Sequence, residues 1–235
     1  MKAVTFDFGQ TLAELDHEML ARRVAERGAE LDPARARAET DAAWRAYGDA
    51  KRAGLEGRDA WCTFMRTLLT RADAQGADID ALASWLFSAQ PQQNLWRKPI
   101  PGMFELVHAL ESAGVPVGIV SNSEGRLSEL VTELGQRQHF GVVADSGRLG
   151  FEKPDRRIFE HAAKALGVAP EALVHVGDAW EADVVGALAV GAQAVYFAPE
   201  APASLPEGVR FARDAAEARA ALVALGIGEL ATNRA

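Results

Sequence analysis

The sequence holds one cysteine, Cys62, in 235 residues. A single thiol cannot close an intramolecular disulfide, so the chain has none of the cross-links of small secreted domains and suits a reducing compartment. Its neighbours Trp61, Thr63 and Phe64 give Cys62 the setting of a helix interior, where a cysteine is core filler. Long apolar runs are missing too. No stretch reaches the roughly 20 residues of a membrane-spanning helix. The N-terminus opens on a strand pattern, without the basic and apolar regions of a signal peptide. A cytoplasmic protein without membrane contact is the expectation. Positive charge is in deficit: 25 Lys and Arg stand against 33 Asp and Glu, a formal net charge of -8. Affinity for a nucleic-acid backbone comes from clustered Lys and Arg, so nucleic acid is excluded as a general partner. Any anionic substrate must meet a site that is locally positive. Internal repeats and long low-complexity tracts are absent as well.

What is present is an ordinary globular composition, 49% hydrophobic and 25% charged, in a chain long enough for one good core plus a smaller module. The chain turns on Val4-Thr5-Phe6-Asp7-Phe8-Gly9-Gln10-Thr11-Leu12. Residues 3–6 are apolar or β-branched and read as a buried strand that runs out at Asp7. In an open α/β sheet, ligands sit at the carboxyl ends of the strands, which makes Asp7 a candidate reacting group. A turn or helix-capping aspartate is the plain alternative for such a residue taken singly. The triplet Asp7-Phe8-Gly9 also spells a kinase metal-binding motif. A kinase needs a Gly-rich loop, a strand lysine and a catalytic loop upstream, and six residues cannot hold them.

From residue 14 to about 97 the pattern is helical, over roughly 17–30, 33–53, 58–72 and 79–89. Breaks fall at Asp32-Pro33, Gly54 to Gly57, Gly76 and Gln90-Pro91. Trp44, Trp61, Trp85 and Trp96 lie in this stretch with Tyr47 and Phe64, and predict the small core of an all-helical module. From Pro99 onward, strands alternate with helices. Strands are predicted at 115–120, 140–144, 173–176, 194–197 and near 209–212. Helices follow Gly102, span 127–134, follow Asp155, span 181–189 and close the chain near 215–225. Repeated strand–helix units give a parallel sheet covered on both faces. The predicted fold is an α/β, doubly wound, Rossmann-like domain from residues 1–13 and 98–235. A helical domain, 14–97, is inserted after the first strand and is expected to lie over the carboxyl edge of the sheet as a lid.

Three further strand ends carry groups capable of chemistry. Val120 runs into Ser121 and Asn122, Lys153 precedes Pro154-Asp155, and Val176 runs into Gly177-Asp178 with Asp183 five residues on. Each has a plain reading as a cap, a solvated side chain or a turn residue. Doubly wound topology, however, puts all of these ends on one rim. Asp7, Asp178 and a backbone carbonyl describe a Mg²⁺ site that keeps waters and takes a phosphate oxygen, with Asp183 completing it directly or through water. Lys153 and Ser121 suit a phosphoryl group, and Asp7 is then placed as a carboxylate nucleophile. His175, inside a strand, reads as a satisfied core histidine. His108, His139 and His161 show no metal-ligand spacing.

In this order the four segments resemble the haloacid dehalogenase (HAD) superfamily, and the insertion after the first strand is similar to the helical cap of its subfamily I. The resemblance runs from Val4-Thr5-Phe6-Asp7 through Glu152-Lys153-Pro154-Asp155 to His175-Val176-Gly177-Asp178 and Asp183. It implies a hydrolase, most simply a Mg²⁺-dependent phosphatase of a small phosphorylated metabolite; the sequence leaves monomer and homodimer equally open. It further implies Asp7 as nucleophile, Ser121 and Asn122 as phosphate binders, Lys153 as the group that steadies the intermediate, and Asp178 and Asp183 as metal residues. The Gly9 carbonyl would be a further Mg²⁺ ligand. One position departs from the pattern. Phosphatases of this family carry a second Asp two residues after the nucleophile, and here that position is Gly9. General acid–base assistance is typically worth about 10²–10⁴-fold. Glu14, Asp16 and His17 stand close in sequence as replacements. A dehalogenase- or phosphonatase-like hydrolase, or a catalytically weakened binding protein, stands as the alternative.

Overall fold

The computed structural model describes residues 1–228; the last part of the expected sheet-built domain, 229–235, lies outside the described residues. The chain divides into two units, one formed by Met1–Leu15 with Trp96 onward and the other by Asp16–Leu95.

The first unit is a six-stranded sheet. Its strands are β1 (Ala3–Phe6), β4 (Val117–Ser121), β5 (Val142–Asp145), β6 (Leu173–Gly177), β7 (Gln193–Phe197) and β8 (Val209–Ala212). They lie in the order β5-β4-β1-β6-β7-β8, and every pairing is parallel. The first strand is thus interior, flanked by β4 on one side and β6 on the other. The strand sequences are nearly continuous apolar runs because both faces are covered. On one face Val4, Phe6, Ile119, Val174, Val176 and Val195 pack with residues of α5 (Met103–Ser112), α6 (Leu127–Glu133) and α10 (Ala215–Ala224). On the other, Ala3, Val120, Ala144, Leu173 and Ala194 pack with Ile158, Phe159 and Ala162 of α8 (Arg156–Ala165) and Ala187 of α9 (Gly186–Leu188). Alternation of period two assigns successive side chains to opposite faces.

Several predicted boundaries move, each for a local reason. The strand expected at 140–144 is Val142–Asp145, because a 3-10 turn at Arg137–His139 occupies the approach to it. The helix expected over 181–189 begins as a π-helical turn, Trp180–Val185, and becomes α-helical only at Gly186–Leu188. Two short strands escaped the sequence reading. Strand β2 (Ala13–Leu15) pairs antiparallel with β3 (Trp96–Pro99), and Glu14 and Lys98, partners in register, form an ion pair at 2.8 Å. With its lysine, arginine and proline, β3 lacks the apolar alternation that marks a strand. Its pairing also moves Trp96 out of the helical module and into the sheet-bearing unit.

The second unit contains α1 (His17–Ala25), α2 (Pro33–Arg52), α3 (Gly57–Arg71) and α4 (Ile79–Ala89). Asp16, Asp32 and Asp78 cap α1, α2 and α4 through side-chain oxygens that accept backbone N–H groups. Helix α1 is shorter than the sequence suggested; the chain leaves it through Gly28, whose φ of 75° is left-handed. Ala36, Ala43 and Ala50 put small side chains along one buried stripe of α2, while α3 buries Phe64, Met65, Leu68 and Leu69. Trp44 lies 4.5 Å from Phe64 between ring centroids, and Trp61 lies 5.5 Å from Phe87. Cys62 is buried within α3, and its burial pushes the thiol pKa up. Among the described residues no helix is long and apolar enough to cross a membrane.

The fit of the sheet to its covering layer is tight at Gly118 of β4. A Cβ there would stand 2.6 Å from Val142 Cγ1 and 3.3 Å from the Val142 carbonyl oxygen on the adjacent strand. Overpacking of this kind typically costs about 1–3 kcal/mol. Gly118→Ala should therefore lower the urea midpoint at unchanged slope, and a midpoint equal to that of the wild type would contradict the packing described.

Candidate active site

The rim at the carboxyl ends of the strands is built outward from β1. Asp7 directly follows that strand, and its backbone N–H donates to the Val176 carbonyl at 2.8 Å, which extends the β1–β6 ladder by one residue. Ser121 is the last residue of β4, on one side of Asp7, and Gly177 the last of β6, on the other. Asp178 follows Gly177, and the π-helical turn after it carries Asp183 back beneath the strand end. The two glycine hydrogens leave room for that return. A Cβ on Gly177 would lie 2.3 Å from Asp183 Cγ.

Lys153 joins these elements. Its Nζ donates to Asp7 Oδ1 at 2.5 Å and to Asp183 Oδ1 at 2.6 Å. The lysine is 4% exposed, Asp7 7% and Asp183 1%. Burying such charges is costly unless they are paired and hydrogen-bonded, and here they are both. Burial opposes the charged form of Lys153, but the Asp183 and Asp7 carboxylates outweigh it and hold the ammonium above its ordinary pKa. Burial also opposes ionisation of Asp183. The Lys153 ammonium and the His175 hydrogen bond overcome it, and Asp183 sits well below the usual carboxylate range. For Asp7 the balance tips the other way, with burial the largest cause, so its pKa is raised. Asp178 is pushed well above its ordinary value by burial and then by the neighbouring charges of Asp7 and Asp183.

Asp7, Asp178 and Asp183 each offer a carboxylate oxygen within 4.8 Å of the others. Hard oxygen donors at this spacing, carrying negative charge in excess of the single lysine, fit a small divalent cation such as Mg²⁺. Asp183 is already extensively bonded: Oδ1 also accepts from His175 Nε2 at 3.0 Å, and Oδ2 accepts from the Ala179 N–H at 2.8 Å. Asp7 and Asp178 therefore have more coordinating capacity to spare than Asp183.

His175 is the satisfied core histidine that its place inside a strand predicts, and its bonds also reach the site. It is fully buried, its Nδ1 lies 2.9 Å from Thr5 Oγ1, and its Nε2 faces Asp183. A carboxylate can only accept, so Nε2 donates to Asp183 and Nδ1 accepts from the Thr5 hydroxyl. Thr5 and His175 are partners in register on β1 and β6. Two polar residues inside otherwise apolar strands were the available signal, but their adjacency depends on strand order. Asn122 likewise acts at a distance in sequence. Its side chain accepts from the Lys153 N–H at 2.7 Å and donates to the Lys153 carbonyl at 3.0 Å. That fastens the segment carrying Lys153 to the end of β4. Ser121 is buried at the end of β4, and its hydroxyl offsets a small part of the upward push that burial gives the Asp7 pKa.

Gly9 lies in the turn after Asp7, where the Leu12 and Ala13 N–H groups both donate to the Phe8 carbonyl at 2.9 Å. Of the neighbouring groups that could move a proton, Glu14 is paired with Lys98, Asp16 caps α1 at the Met19 N–H, and His17 Nε2 is bonded to Thr40 Oγ1 at 2.7 Å. His108 and His139, far apart in sequence, lie with ring centroids 4.2 Å apart and tilted by 50°, and are bonded to Gln136 and Glu111 respectively.

The family model described as haloacid dehalogenase-like hydrolase matches residues 1–191. The chain is 29% identical over 202 residues to human haloacid dehalogenase-like hydrolase domain-containing protein 3, covering 81% of this chain and 79% of that one. It is 32% identical over 177 residues to a phosphoserine phosphatase of Thermus thermophilus, covering 71% and 68%. In fold it is similar to the crystal structure of a putative HAD-hydrolase from Bacillus subtilis bound to magnesium, with a TM-score of 0.68, 21% identity, and coverage of 96% and 98%.

The ion pairs of Lys153 predict a pH-dependent defect. Lys153→Met leaves Asp7 and Asp183 buried without their counter-charge, which should cost about 3–5 kcal/mol at neutral pH. Without the ammonium the folded-state carboxylate pKa values rise, so the penalty applies above the unfolded value and fades as the acids take up protons. The stability gap to the wild type, read from urea unfolding in EDTA, should shrink from pH 8 to about pH 5. A gap independent of pH would refute this assignment of charge.

Proposed function

The chain belongs to the haloacid dehalogenase-like hydrolase family, and from that premise we propose that it is a Mg²⁺-dependent phosphatase of a small phosphorylated metabolite. The observation that carries this reading is the position of Asp7. It follows the interior strand, is bonded to Lys153, and lies within cation-sharing distance of Asp178 and Asp183. The similarity to a phosphatase over most of both chains supports it.

In this reading Asp7 is the nucleophile. One of its carboxylate oxygens attacks phosphorus to give an aspartyl-phosphate, and water opens that intermediate. Asp7 and Asp178 would hold the cation, with the Gly9 carbonyl beside them and Asp183 acting directly or through water. The cation supplies charge stabilisation for the transferring phosphoryl group. Lys153 contributes a fixed positive charge on the same group, and its anchoring by Asp183 and Asn122 means that little reorganisation is needed during reaction. Ser121, buried at the end of β4, would donate to a phosphoryl oxygen. Asn122 stays beside Ser121 as a phosphate-binding residue in this reading, and its side chain also holds the backbone of Lys153. The helical unit Asp16–Leu95 is read as the module that selects the substrate.

The direct test is hydrolysis of para-nitrophenyl phosphate with Mg²⁺ or EDTA, by the wild type and by Asp7→Asn. Turnover should require the metal and fall by roughly 10³-fold or more in the variant. Metal-independent turnover, or turnover retained in the variant, would remove the proposal. A second readout does not depend on activity. At about a hundred-fold excess over its Kd, Mg²⁺ should stabilise the wild type by about 2.7 kcal/mol, seen as a higher Tm, and a Tm indifferent to Mg²⁺ would count against the site.

A further inference from the structure

Resting on the phosphatase reading, the inference concerns the group that departs. When an Asp7 oxygen bonds to phosphorus, the bond from phosphorus to the leaving oxygen breaks, and its electron pair stays on that oxygen. The alkoxide of a simple alcohol is too basic to depart readily at neutral pH unless a positioned acid hands it a proton. A carboxylate, an enolate or a phenolate carries the charge itself and leaves without one.

Of the side chains that could serve as the acid, those bonded to Asp7, sharing its cation-site geometry or following it in sequence are committed elsewhere. Lys153 Nζ is bonded to Asp7 and Asp183, and Asp183 has hydrogen bonds at both oxygens. Both ring nitrogens of His175 are engaged, by Thr5 and by Asp183, and the residue has no exposed surface. Ser121 is an alcohol, a far weaker acid than a carboxylic acid or an imidazolium. Asp178 belongs to the proposed cation site. Glu14 is paired with Lys98, Asp16 caps a helix, and His17 is bonded to Thr40. Gly9 has no side chain, and the point its Cβ would occupy lies 3.6 Å from Cδ1 of the Trp96 indole. The side of the turn where a residue at position 9 would project is therefore lined by the ring of Trp96, which is 9% exposed. That ring is held there by β3, the strand that pairs with β2.

We propose that the substrate is a phosphorylated compound whose leaving group is stable as an anion, namely an acyl, enol or aryl phosphate rather than the phosphate ester of a simple alcohol. The leaving group departs unprotonated. Water then attacks phosphorus of the aspartyl-phosphate, the bond to Asp7 breaks with its electron pair returning to the carboxylate, and the water's protons go to orthophosphate and solvent.

The test compares kcat/KM, which reports the steps up to release of the leaving group, for acetyl phosphate, a series of para-substituted phenyl phosphates and O-phosphoserine, all with Mg²⁺. Within the phenyl series the contacts stay nearly constant while leaving-group basicity changes, so kcat/KM should fall steadily as the phenol becomes more basic. O-phosphoserine should lie below para-nitrophenyl phosphate by about the 10²–10⁴-fold that a proton donor typically supplies. Gly9→Asp, which offers a donor beside Trp96, should narrow that gap. The wild-type series decides the matter even if this variant does not fold. A flat series, or O-phosphoserine within about ten-fold of para-nitrophenyl phosphate, would overturn the inference while leaving an Asp7-dependent phosphatase standing. Absence of Asp7-dependent turnover of every compound would overturn both.

Discussion

One ammonium holds this site together. Lys153 Nζ bridges Asp7, at the end of the first strand, and Asp183, in the turn after β6, in surroundings almost closed to solvent. Without it two buried carboxylates would face each other, and the cheaper outcome would be protonation or displacement of one of them. The pairing keeps Asp183 ionised while burial and the neighbouring acids push Asp7 and Asp178 upward. A divalent cation would remove that remaining stress, because it adds positive charge where three carboxylate oxygens already converge.

The rest of the rim serves to fix that ammonium and its partners. Asn122 ties the backbone of Lys153 to the end of β4, and Thr5 and His175 form a hydrogen-bonded line across two strands that ends on Asp183. Gly177 leaves the space into which Asp183 returns, and the π-helical turn supplies the path. Such turns occur frequently at functional sites, since one wide turn re-aims a side chain that a regular α-helix would direct elsewhere. Each supporting bond is modest alone. Together they fix the reacting groups on rigid elements, and fixed charge is effective in stabilising a transition state.

The position of β1 makes this convergence possible. In the order β5-β4-β1-β6-β7-β8 the chain runs to one side after β1 and to the other after β5, so the crevice opens at the end of the first strand. The smaller β2–β3 pair adds what the main sheet does not. It brings Trp96 against the turn at Gly9, so that a residue distant in sequence sets the chemical character of the space beside the nucleophile.

From the sequence alone came the α/β class, the alternation of strand and helix after Pro99, the helical stretch within it, and Asp7, Ser121 and Asp178 as residues at or just past strand ends, with Lys153 ahead of a helix and Asp183 five residues past Asp178. These were readable because hydrophobic period and Gly or Pro punctuation are local properties of the chain. The tertiary structure alone decided that Lys153 meets an aspartate 146 positions away, that His175 supports Asp183, and that Asn122 grips the backbone of Lys153. It also decided that Trp96 belongs with Gly9 rather than with the helical aromatics. Each of these depends on which strands become neighbours and on how a turn is wound. Crossover connections and packing settle such matters across the whole chain, and no window of residues contains them.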